Sequence, residues 1–65
     1  MTNIADNVRK ARKKAGLSQD KLAREADVAY NTVVKIESGE NKNPTIETLR
    51  GIAKALNVSV DDLIN

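Results

Sequence analysis

The 65-residue sequence predicts an all-α fold, a compact bundle of five short helices. Three observations carry that expectation. Apolar residues recur at the three- and four-residue spacing of a helix stripe, and no segment alternates like a strand for a useful length. The core palette is Leu, Ile, Val and Ala, because Phe, Trp, Cys and His are absent and Tyr30 is the only aromatic. Capping and stop residues, among them Ser18, Gly39, Thr45 and Ser59, divide the chain into short periodic runs.

The first helix is expected over residues 3–15. Ile4, Val8, Ala11 and Ala15 form its inward stripe, Thr2 or Asn3 caps its start, and Gly16 stands where a left-handed residue ends it. A second helix, 18–26, opens at the N-cap Ser18, with Asp20 complementing its positive end and Leu22 and Ala26 facing inward. Asp27 breaks it. The third helix, 29–38, turns Ala29, Val33 and Ile36 inward, with Thr32 at the edge. Tyr30, Asn31, Val34, Lys35 and Ser38 fall on its other side.

"GENKNPT" is the one evident loop. Thr45 caps a fourth helix, 45–56, whose stripe is Ile46, Leu49, Ile52, Ala53 and Leu56. Gly51 inside it costs about 1 kcal/mol relative to Ala, which points to a close helix contact. Asn57 closes this helix. Ser59-x-x-Asp62 reads as a capping box opening a last helix, 59–64, with Val60, Leu63 and Ile64 inward. Residues 1–65 form a single domain on this reading. A chain this short buries only about 60% of its unfolded surface, so modest stability is expected, helped by dimerisation or a bound partner.

Composition narrows the function. Without Cys there is no disulfide and no thiolate ligand; without His the commonest general base and metal ligand are missing. The acidic pair Asp61-Asp62 is explained by a helix N-terminus, and no nucleophile–base arrangement or phosphate-cradling Gly loop is present. No enzyme, metal, cofactor or small-molecule ligand is therefore expected. No run has the length and apolarity of a signal peptide or membrane span, so a cytoplasmic protein without a membrane partner is expected.

The net charge of +2 is unevenly spread. Residues 1–24 carry seven Lys/Arg against two acids, +5, while residues 25–65 carry four against seven, −3. An anionic partner near the first third of the chain explains this, and so does a solvated basic helix face.

Two short helices joined by a tight turn, the second presenting polar readers, is the layout of a helix-turn-helix. The residues Gly16-Leu17-Ser18-Gln19, Leu22-Ala23, Val28, Thr32-Val33, Ile36-Glu37, Gly39, Pro44 and Leu49 through Leu63 carry a closer likeness. From about Val8 to Ile64 the chain resembles the Cro/C1-type helix-turn-helix family, which includes phage repressors and many bacterial regulators. The resemblance implies a lambda repressor-like domain that binds double-stranded DNA as a sequence-specific, repressor-like transcriptional regulator. It further implies a homodimer on a palindromic operator, with helix 29–38 in the major groove and half-sites ~34–36 Å apart.

Carried onto this sequence, the resemblance makes Tyr30, Asn31, Val34 and Lys35 candidate base contacts. Asn31 matches an adenine edge, Lys35 a guanine or a phosphate, and Val34 a thymine methyl. Tyr30 reaches a phosphate or stacks on sugar and base edges; alternatively its ring lies over the neighbouring helix. Gln19, Thr32, Ser38, Asn41, Lys42 and Asn43 are candidate backbone contacts, with Lys10 and Lys14 adding charge from the first helix. Arg12 and Glu37 are expected to pair structurally, fixing the third helix to the scaffold.

Two departures from the family pattern stand out. Ala29 occupies a position where Ser or Thr is usual, so no side-chain cap is available there. The loop after Gly39 carries Lys42 as its only cation, beside Glu40. Fewer charge contacts and weaker or more salt-sensitive binding are expected of an isolated monomer. The thin charge of the loop and the outward Val34 keep open an alternative, a protein-interaction module such as an antitoxin.

Overall fold

The computed structural model describes residues 3–65. The candidate cap Thr2 lies outside the described residues. Five α-helices follow in order: α1 Ile4–Lys14, α2 Gln19–Ala26, α3 Tyr30–Ser38, α4 Ile46–Leu56 and α5 Val60–Ile64. They begin just inside the expected spans because Asn3, Ser18, Ala29, Thr45 and Ser59 act as N-caps outside the helices. Four of these caps accept a first-turn N–H through their side chain; Ala29 makes no such bond. At α5 the capping box is complete, with Ser59 Oγ accepting from Asp62 N and Asp62 Oδ2 accepting from Ser59 N, both at 3.1 Å.

Three of the helices close in one way. After α1, α2 and α4 a residue in the left-handed region (Gly16, Asp27 or Asn57) is followed by an apolar one, Leu17, Val28 or Val58. The apolar residue's N–H bonds back to Arg12, Ala23 or Ala53, at 3.1, 3.0 and 2.9 Å, while its side chain packs against the core. This satisfies carbonyls that a helix end leaves orphaned and turns the chain back inward. The end of α3 differs. Gly39, at φ 86°, is followed by charged Glu40, so nothing draws the chain inward and residues 40–45 run over the surface.

The core is aliphatic: Val8, Leu22, Val33, Ile36, Ile52 and Leu63 are fully buried, with Ala23, Ala26, Leu49, Ala53 and Leu56 around them. α2 lies between α3 and α4, and α1 packs on α3 and α5. Gly51 explains how α4 comes so close to α2, since a Cβ there would stand 2.6 Å from the Ala26 carbonyl oxygen. Three expected core residues are exposed instead: Ala15, Ala29 and Ile46, the last 54% exposed. Each sits at a helix end. Ala15 is the C-cap of α1, Ala29 is an extended N-cap outside the register of α3, and Ile46 lies in the first turn of α4 at the edge of its stripe.

Candidate nucleic-acid interface

The turn between α2 and α3 sets the site. Asp27 adopts the left-handed conformation (φ 58°), Val28 packs inward, and Ala29 is extended, so α3 leaves at an angle to α2. Val33 and Ile36, both 0% exposed, seat α3 on the scaffold. The opposite side must then face solvent. Tyr30, Asn31 and Lys35 are exposed there, Thr32 and Val34 half-buried. Among the described residues no hydrogen bond or ion pair engages the side chains of Tyr30, Asn31, Thr32 and Lys35. Tyr30 is 48% exposed.

The far end of α3 is held tightly. The Glu37 side chain is buried, and Arg12 grips it as a fork: Nε donates to Oε2 at 2.7 Å and Nη2 to Oε1 at 3.0 Å. Arg12 Nη1 also donates to the Leu17 carbonyl at 2.8 Å, tying α1 to the start of the turn into α2. Gln19 Nε2 donates to Glu37 Oε1 at 3.1 Å, bringing the first turn of α2 into the same cluster. A buried carboxylate is stable only when its lone pairs are met, and here a bidentate guanidinium and an amide meet them.

Sequence reasoning missed a second clasp. Arg9 Nη1 donates to the Glu37 backbone carbonyl at 3.0 Å, and Arg9 is itself paired with Asp6. The signal was the three-residue spacing of Arg9 and Arg12, which puts both on the flank of α1 that meets α3. Asn7, also missed, donates to the Leu63 carbonyl at 2.9 Å and fixes α5.

The loop completes the surface. Ser38 Oγ donates to the Lys35 carbonyl at 3.1 Å and accepts from Glu40 N at 3.3 Å, so its hydroxyl finishes α3. Asn41 N donates to the same carbonyl at 3.0 Å, and Asn41 Oδ1 accepts from Asn43 N at 3.1 Å. Asn41 therefore shapes the loop, while Lys42 and Asn43 are exposed on it. Lys10 and Lys14 belong to α1 rather than to α3 or the loop. Both are exposed, and Lys14 borders a shallow groove with Leu56, Asn57 and Val58.

The geometry of α2, turn and α3 agrees with comparison to known proteins. The helix-turn-helix family model matches residues 8–63. The chain belongs to the helix-turn-helix family. Its relatives include the HTH-type transcriptional regulator SinR of Bacillus licheniformis, 36% identical over 62 residues, which cover 95% of this chain and 56% of SinR. This chain thus spans little more than half the length of that regulator. The N-terminal DNA-binding domain of SinR from Bacillus subtilis superposes with a TM-score of 0.90 at 35% identity, covering 92% of this chain and 87% of that one. A crystal structure of SinR in complex with DNA, the master regulator for biofilm formation, gives 0.89 at 35% identity, with coverage of 92% and 95%. No helix of the described part of this helix-turn-helix domain is long and apolar enough to cross a membrane.

Proposed function

We propose that this domain binds duplex DNA sequence-specifically as the reading part of a transcriptional regulator, with α3 in the major groove. One observation carries the reading: an unpartnered polar face on a helix whose inner side and far end are both fixed. A groove about 12 Å wide admits such a helix, and base readers need rigid placement with free hydrogen-bonding edges. The likeness to a regulator solved with DNA supports the same reading.

In this arrangement Tyr30, Asn31, Val34 and Lys35 meet bases. Thr32, Ser38, Lys42 and Asn43 border phosphates, with Asn41 holding the loop in shape. Gln19 offers phosphate its remaining N–H at the positive end of α2 while its other N–H stays on Glu37. A palindromic operator bound by two copies fits the single reading helix of each domain. On this reading the protein acts in the cytoplasm, by binding alone and without catalysis.

A salt titration on random duplex tests the class of function. Binding at about 50 mM salt that weakens steeply and log-linearly with added salt is expected. No binding at that salt overturns the proposal.

A further inference from the structure

We infer that the reading face selects thymine: the 5-methyl group of a thymine packs between Val34 and the Tyr30 ring, beside an adenine held by Asn31. This rests on the DNA-binding reading above and adds which bases are chosen. Residues four apart share a helix face, so α3 presents two parallel stripes, Tyr30–Val34 and Asn31–Lys35. The first is apolar and the second polar.

Val34 is the informative residue. It is half-buried, yet it belongs neither to the core nor to the apolar residues packed against it. Its side chain is therefore not spent on the core and stands on the outward face of α3. Tyr30, 48% exposed, extends the same stripe, and the exposed methyl of Ala29 precedes it. In the major groove the thymine methyl is the one apolar group that a base offers. Guanine is read chiefly by Arg or Lys through a pair of donors, and α3 holds no Arg and only Lys35. The polar stripe fits a neighbouring adenine, whose N6 and N7 match the Asn31 amide.

The test uses the duplex recovered when the domain selects sites from a random pool. Each thymine is replaced singly by deoxyuridine, which removes the methyl and leaves the pairing edge intact, so the wild-type protein is used throughout this arm. At one or two positions within each half-site, affinity should fall about fourfold per methyl, the equivalent of one buried carbon group. Val34→Ala should bind the thymine and deoxyuridine duplexes alike at those positions. A selected duplex in which no thymine responds overturns the inference and leaves the DNA-binding reading standing. A response that persists undiminished in Val34→Ala also overturns it. Failure to bind any duplex at about 50 mM salt removes both readings together.

Discussion

The two ends of α3 are built on opposite principles. At its far end Glu37 is buried and met by Arg12 and Gln19, Arg9 holds its carbonyl, and Ser38 closes the last turn. At its near end Ala29 offers no side-chain cap, and Tyr30 and Asn31 have no side-chain partner among the described residues. One end is saturated so that the other can stay free. A recognition surface needs hydrogen-bonding groups that the protein itself does not use, and those groups stay in register only if the helix is fixed elsewhere.

The largest expected effect comes from breaking the saturated end. Glu37→Ala leaves the Arg12 guanidinium, its side chain only 12% exposed, without a counter-charge. Loss of one partner of a buried pair costs about 3–5 kcal/mol, a large share of the stability of so small a domain. Urea unfolding measures it, and a loss below about 1 kcal/mol would show that the cluster does not anchor α3. At the free end the expectation reverses. Asn31→Ala should leave the unfolding midpoint unchanged but remove about 1–3 kcal/mol of discrimination at a single base pair. A drop in affinity that is uniform across all sequences would count against Asn31 as a base reader.

The third change acts on the missing cap. Ala29→Ser supplies a hydroxyl to the first-turn N–H groups and should stabilise the fold by about 1 kcal/mol, read as a higher urea midpoint. If stability does not rise, the near end of α3 is limited by something other than its cap. The smallest effect is that of Lys42→Ala, which should weaken binding to all duplexes alike and lower the log–log salt slope by about 0.9. An unchanged slope would place Lys42 away from phosphate.

The helical plan was legible because stripes of Val, Leu, Ile and Ala at helical spacing can be buried in only one way. Periodicity carries no information about where a helix runs out of neighbours, which is why Ala15, Ala29 and Ile46 emerged on the surface. The outward face of α3 was legible for the same reason as its inward one. Long-range side-chain partners were less so. Gln19 meets Glu37 across 18 residues of chain and Arg9 meets its carbonyl across 28, and neither sequence segment announces the other.

The matching closures after α1, α2 and α4 bear on how long the protein survives. Each is made among neighbours in the chain, at little cost in loop entropy, and helical domains rich in such contacts fold in about microseconds to milliseconds. With reclosing that fast, a protease samples the open chain at equilibrium, and degradation follows the open population rather than the opening rate. A ligand on the reading face lowers that population by mass action. Occupied copies should therefore outlast idle ones, which proteolysis with and without bound duplex would measure directly.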